Sequence, residues 1–147
     1  MGMPQSSGHR ELVRQRAKCR CEYCGIPEEE FLPATIFQEE HIIPKSLFAD
    51  CDINKDDLSN LAWSCPRCNQ HKSMKCCAHD PDTNNLTSLF NPRTDNWYEH
   101  FLAHRSGLIV GLSSIGRATV QALRLNDEGR VRGRLPLYNR GRWPGES

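Results

Sequence analysis

No hydrophobic run in this sequence is long enough to cross a membrane, and the first ten residues lack the apolar segment of a secretory signal. The sequence also has no internal repeats, which argues against a repeat architecture. Hydrophobic residues make up only 37% of the 147 residues, a modest supply for one core. These absences predict a single cytoplasmic domain without a membrane partner, which a structural metal would help to stabilise.

A strong net charge is missing as well, because the formal charge is only +1. Its distribution is uneven: residues 1–26 and 105–147 carry +3 and +5, whereas residues 27–104 carry −7. Basic ends around an acidic, metal-binding middle are compatible with a nucleic-acid partner whose phosphates meet bound cations. On charge alone, arginines that solvate helix surfaces are the better explanation.

Cysteine is the residue type that is abundant, with eight in the chain. Four of them form two Cys-x-x-Cys pairs separated by 40 residues, namely Cys21, Cys24, Cys65 and Cys68. Two intervening residues let both sulfurs of a pair reach one tetrahedral ion, and a reducing compartment favours metal over disulfides. The spacing therefore predicts a structural zinc site that clamps a folded segment between the pairs.

The other four cysteines lack this spacing. Cys19 is the main rival of Cys21 as a zinc ligand, because it stands only two residues away. Cys76 and Cys77 could hold a second metal with His79, although partly buried free thiols are the simpler expectation. Cys51 has no partner in the pattern.

Periodicity and turn residues predict the order of the elements around the cysteines. After a disordered lead over 1–8, we expect a helix over His9–Lys18 and a strand over Ile36–Ile43. A second short strand or a turn over Leu58–Ser64 and a helix that begins at Pro66 should follow. Further on, we expect a hairpin and a capped helix: Trp97–Ala103 with Leu108–Leu112, then Ile115–Asn126 behind Ser113 or Ser114. The tail Arg130–Trp143 is expected to be a frayed helix or a phosphate-contacting arm.

The motifs between and around the two cysteine pairs occur in a specific order. They are Glu40-His41-Ile42-Ile43-Pro44, Asn60-Leu61 and Cys65-x-x-Cys68-Asn69-x-x-Lys72, followed later by Leu89-Phe90-Asn91-Pro92-Arg93 and Gly116-Arg117-Ala118-Thr119-Val120. This pattern resembles the HNH nucleases with their ββα-metal fold, in the bacterial branch that has four zinc cysteines. The resemblance covers about Val13 to Asp127. It implies an α+β protein with a zinc-stapled nuclease core over 9–79 and a C-terminal hairpin-plus-helix extension over 80–147.

The resemblance also implies roles for individual residues. His41 would be the general base, and Glu40 and Asn69 would supply oxygen ligands to a catalytic Mg²⁺ or Mn²⁺. Asn60 would orient His41 by tying the loop between the strands. Phosphate contacts would come from the helix, through Lys72, Arg67 and His71. The chain departs from the family at position 40, where Asp or His is usual and the longer Glu could shift the metal.

The sequence thus predicts a DNA endonuclease, with RNA as an alternative substrate. A second interpretation is a non-catalytic zinc module that binds nucleic acid or protein, but such a module has no need of Glu40, His41 and Asn69. A third is a zinc deaminase, whose H-x-E half matches His9-Arg10-Glu11. Its P-C-x-x-C half fails, because Ser64 precedes Cys65.

Overall fold

A computed structural model describes residues 6–31, 36–44 and 57–146 of the chain. In this part the α-helices are α1 (Ser6–Arg16), α2 (Pro66–Lys72), α3 (Trp97–His100), α4 (Ser114–Ala122) and α5 (Glu128–Asn139). The strands are β1 (Gln38–His41), β2 (Leu61–Ser64), β3 (Cys77–His79), β4 (Leu86–Ser88), β5 (Phe101–Ala103) and β6 (Ile109–Gly111). The mixture of helices and small sheets confirms the predicted α+β class.

Strands β1 and β2 and helix α2 form a ββα unit at the centre of the chain. The two strands are antiparallel, with His41 opposite Leu61 and Gln38 opposite Ser64. Helix α2 begins directly after β2, because Pro66 at its first turn is preorganised for a helix and needs no hydrogen-bond acceptor there. The predicted strand, strand, helix order is confirmed.

Helix α1 packs against both strands of the unit. Arg16 Nη2 donates to the carbonyl oxygen of Leu61 at 2.6 Å, and the Arg10 guanidinium lies over the Trp63 ring at 4.7 Å. The helix begins at Ser6, inside the stretch predicted to be a disordered lead, and residues 1–5 lie outside the described residues. Helix α1 thereby lies against both β1 and β2.

The C-terminal hairpin and the helix behind it were both predicted. Strands β5 and β6 pair antiparallel, and Ser113 Oγ accepts from Gly116 N at 3.0 Å to cap α4. Gly116 allows this close packing, since an added Cβ would lie 2.0 Å from the carbonyl oxygen of His100. The predicted first strand was too long, because residues 97–100 form the single turn α3 instead.

A third hairpin, β3 with β4, was not predicted as such. Its loop is formed by residues 80–85. Arg117 of α4 forms two hydrogen bonds with the buried Asp80 carboxylate, at 3.0 and 2.8 Å, and these hold the hairpin against α4. The Arg117 guanidinium accordingly lowers the pKa of Asp80 well below its ordinary value.

The tail contradicts the expectation of a frayed helix or a phosphate arm. Residues 128–139 form α5, with Arg130, Arg134 and Leu137 buried on one face. Their i, i+4, i+7 spacing is that of a helix face packed on a core. Both arginine side chains point into the protein and donate to backbone carbonyl oxygens, those of Leu123 and Gly107 among them, so they are not available to nucleic acid.

The core runs from the ββα unit to the C-terminal elements. Its largest buried side chains come from both parts of the chain, and include Tyr23, Phe37, Trp63, Phe101 and Trp143. No helix within the described ranges is long and apolar enough to span a membrane. This shared core packs the C-terminal elements on the ββα unit.

Candidate functional site

Four cysteine thiols meet in the interior: Cys21, Cys24, Cys65 and Cys68. Their sulfur atoms all lie within 4.8 Å of one another, and Cys24 Sγ is 3.8 Å from Cys65 Sγ. Sulfurs bound at roughly 2.3 Å to one tetrahedral zinc would be about 3.8 Å apart. The cluster, called the zinc clamp below, therefore has the donor set and the spacing of a structural zinc site.

The other described cysteines, Cys19, Cys76 and Cys77, are not part of such a group. Within 6–31, 36–44 and 57–146, the zinc clamp is the one set of three or more metal-ligating side chains that could hold an ion. The structure thus places Cys21 rather than Cys19 in the cluster, and brings no metal-binding set together at Cys76, Cys77 and His79. Cys51 lies outside the described residues.

Local backbone geometry brings each cysteine pair to the clamp. In the first pair, Gly25 N donates to the carbonyl oxygen of Cys21 at 2.9 Å, and Gly25 has a φ of +81°, a conformation that favours glycine. In the second pair, Cys68 N donates to Cys65 Sγ at 3.4 Å across the first turn of α2. Both turns aim two sulfurs at the same point.

Arg130 of α5 lies directly against the zinc clamp, and sequence reasoning missed it. Its Nη2 donates to Cys68 Sγ at 2.9 Å, and its Nη1 donates to the carbonyl oxygen of Leu123 at 2.8 Å. Burial opposes its charge, but the facing cysteine sulfurs outweigh burial and raise the pKa of Arg130. Four thiolates around Zn²⁺ leave a net negative charge, which this buried guanidinium is placed to balance.

An open cleft of about 330 Å³ lies beside β1 and α2. It is lined by Gln38, Glu39, Glu40, His41, Pro44, Asn69, Ser73 and Met74. The three residues predicted for chemistry, Glu40, His41 and Asn69, are therefore brought to one place. His41 is half-buried at the end of β1, where an imidazole can face both solvent and the cleft.

Asn60 is tied to the backbone that follows His41. Its Oδ1 accepts from Ile43 N at 2.9 Å, and its Nδ2 donates to the carbonyl oxygen of Ile43 at 3.1 Å. Its own carbonyl oxygen accepts from Ile42 N at 2.9 Å. These bonds fix the chain as it leaves β1, which is the placement that the predicted orienting role requires.

Glu40 lies at the bottom of the cleft and is only 4% exposed. Its Oε1 accepts from the Tyr23 hydroxyl at 2.5 Å, and its Oε2 accepts from Lys72 Nζ at 2.5 Å. Burial raises the pKa of Glu40, although the Lys72 ammonium opposes the rise. Each oxygen keeps a second lone pair, which could bind a cation in the cleft that Glu40 lines.

Asn69 completes the oxygen donors of the cleft. Its Nδ2 donates to Gln38 Oε1 at 3.0 Å, which turns the amide so that Oδ1 accepts no hydrogen bond from the described residues. An amide oxygen and a carboxylate oxygen are hard ligands of the kind that Mg²⁺ and Mn²⁺ take. The donor set fits such an ion by its chemistry, with Asn69 the more accessible of the two ligands.

The three residues predicted to contact phosphate have different positions. Lys72 is 1% exposed, and its ammonium group is directed at Glu40 and at two backbone carbonyl oxygens, so it does not reach a phosphate. Arg67 is exposed and His71 is half-buried, one turn apart on α2. Helix geometry puts Arg67 and His71 on the side of α2 opposite Asn69 and Ser73, and neither of them lines the cleft.

Comparison with known families matches one part of the chain. The family model described as HNH endonuclease covers residues 21–75, from the first cysteine of the zinc clamp to three residues beyond α2. It thus includes the clamp, both strands, the cleft and α2. No curated protein and no solved structure gives a significant match to the chain.

Proposed function

We propose that the HNH endonuclease domain formed by residues 21–75 hydrolyses phosphodiester bonds of DNA. The observation that carries the proposal is the cleft, in which His41 and the two oxygen donors Glu40 and Asn69 stand beside the four-cysteine cluster. A bare zinc module needs none of these three residues.

In this proposal His41 accepts a proton from the attacking water, since an imidazole can do so near neutral pH. Asn60 holds the backbone after His41 and so restricts the position of the ring. Glu40 and Asn69 would hold one Mg²⁺ or Mn²⁺, which would stabilise charge on the phosphate and on the departing 3′ oxygen. The zinc clamp takes no part in the chemistry, and it holds α2 against the turn over residues 21–24.

Plasmid cleavage by the purified full chain, with Mg²⁺, with Mn²⁺ and with EDTA, tests the proposal. We expect supercoiled DNA to be converted only with a divalent ion. His41→Ala should lower the cleavage rate by about 10²–10⁴, the usual cost of a missing general base. It should leave zinc content and circular dichroism unchanged, because His41 lies outside both cysteine pairs.

His79→Ala is the matched control, since His79 is an exposed histidine of β3 outside residues 21–75. It should cut at the wild-type rate. Wild-type cutting by His41→Ala would contradict the mechanism. An absence of cleavage by the unaltered chain with every metal would favour the zinc-binding module, and cleavage of an RNA oligonucleotide in the same assay would identify RNA as the substrate.

A further inference from the structure

The side chain between the two cysteines of the first pair reaches the cleft. Tyr23 stands between Cys21 and Cys24, is fully buried, and donates its hydroxyl proton to Glu40 Oε1 at 2.5 Å. Its ring packs edge-on against Phe90 at 6.5 Å, so the side chain has a fixed position independent of its hydroxyl group. The turn over residues 21–24, which carries the first cysteine pair, is therefore in direct contact with β1.

Lys72 makes the corresponding contact from the second pair. It lies one helical turn after Cys68, and its ammonium donates to Glu40 Oε2 at 2.5 Å. The same ammonium donates to the carbonyl oxygens of His41 at 3.1 Å and Ile42 at 3.0 Å. All three donor positions of a lysine are used, and all three acceptors belong to the segment that carries His41.

This arrangement is not what phosphate binding or simple core filling would produce. A phosphate contact needs an exposed ammonium, and Lys72 is 1% exposed. A well-packed apolar pair often replaces a buried ion pair without loss of stability, so stability alone is a weak reason for burying Lys72. What Lys72 adds is a restraint on the backbone position, because two of its hydrogen bonds end on the carbonyl oxygens of His41 and Ile42.

We propose that Tyr23 and Lys72 are positioning residues. Through Glu40 and the β1 backbone, they connect the fixed geometry of the zinc clamp to the position of His41. The proposal rests on the proposed nuclease function for the role of His41. Neither side chain touches substrate. Loss of such outer hydrogen bonds typically costs about 10- to 100-fold in activity or metal affinity, because the reacting group is held less well.

Tyr23→Phe is the first test, since it removes one oxygen and keeps the ring that packs on Phe90. We expect kcat for cleavage of an oligonucleotide duplex to fall about 10- to 100-fold with KM and zinc content unchanged. Tyr98→Phe is the matched control, because it removes a tyrosine hydroxyl whose one hydrogen-bond partner among the described residues is the carbonyl oxygen of Gly145. It should leave kcat unchanged.

A readout that does not depend on cleavage is the NMR signal of the His41 ring in protein labelled at histidine. Tyr23→Phe should shift the His41 resonances and should leave those of His79 in place. Lys72→Met should shift the same resonances, whereas Lys75→Met, three residues further and beyond the end of α2 in an exposed position, should not.

The two proposals can fail separately. If the unaltered chain does not cut any nucleic acid, the nuclease proposal fails, while the His41 resonances still test the connection. If the chain cuts and Tyr23→Phe matches it in kcat with unmoved His41 resonances, the positioning role is overturned. If Tyr23→Phe loses zinc, Tyr23 serves the clamp itself, and the positioning role is also overturned.

Discussion

Among single residues, the two proposed metal ligands Glu40 and Asn69 differ in burial and in how many hydrogen bonds hold them. The carboxylate of Glu40 is buried, and each of its oxygens accepts a hydrogen bond from a fixed partner. Asn69 is half-buried, and its amide is oriented by Gln38 alone. Of the two proposed ligands, Asn69 can therefore be altered with less effect on its surroundings.

Asn69→Ala is expected to weaken the binding of the catalytic divalent ion. The Mg²⁺ concentration for half-maximal cleavage should rise about 10-fold or more, and saturating Mg²⁺ or Mn²⁺ should restore most of the rate. Titration of the cleavage rate with each metal measures this. Gln70→Ala is the control, since Gln70 is an exposed neighbour on α2 that does not line the cleft, and it should leave the Mg²⁺ requirement unchanged. An unchanged Mg²⁺ requirement in Asn69→Ala would remove Asn69 from the metal site.

Among the elements, α5 combines a polar composition with a buried face. It places Arg130 against the sulfur of Cys68 and directs Arg132, two residues on, to the exposed Glu128 carboxylate at 2.8 Å. The two arginines have the same chemistry and belong to the same helix, so they form a natural comparison.

Arg130→Met is expected to weaken zinc binding by about 10- to 100-fold, because the thiolates lose a buried counter-charge and hydrogen-bond donor. Competition with a chromophoric zinc chelator measures the affinity. Arg132→Met should bind zinc with the same affinity as the unaltered chain in this competition. Equal affinities for the two variants would mean that Arg130 contributes nothing to the clamp.

Local signals explain which elements could be predicted from the sequence. Pro66 at the first turn of α2 and Ser113 at the cap of α4 act on their immediate neighbours, and both predictions are confirmed. The buried position of Lys72 could not be read in this way, because it depends on Glu40, 32 residues away. In α5, the spacing of Arg130, Arg134 and Leu137 was available, but the basic residues around it resembled a solvated or phosphate-binding tail.

At the scale of the molecule, the C-terminal extension closes over the zinc clamp. Trp97 Nε1 donates to the carbonyl oxygen of Tyr23 at 2.8 Å, and Trp143 Nε1 donates to that of Cys24 at 2.8 Å. These two contacts join the C-terminal extension to the turn over residues 21–24, and Arg130 joins it to Cys68. We therefore expect the chain to unfold as a single domain.

Cys65→Ser should consequently lose its zinc and the structure of the whole chain. A structural zinc contributes about 10–16 kcal/mol of binding free energy, which is comparable to the roughly 5–15 kcal/mol that stabilises a domain. Elemental analysis and near-ultraviolet circular dichroism of the tryptophans measure the two losses. Cys19→Ser should keep one zinc per chain and its spectrum. Zinc retained by Cys65→Ser would overturn the assignment of the clamp.

The hydroxyl of Tyr23 has a thermodynamic consequence. If it couples the clamp to the cleft, the coupling free energy has no direction, and each site changes the affinity of the other by the same factor. Zinc in the clamp would favour Mg²⁺ or nucleic acid in the cleft, and an occupied cleft would slow the escape of zinc. A chain that has lost its zinc would be a poor nuclease, and a chain engaged on its substrate would be the form most resistant to chelation.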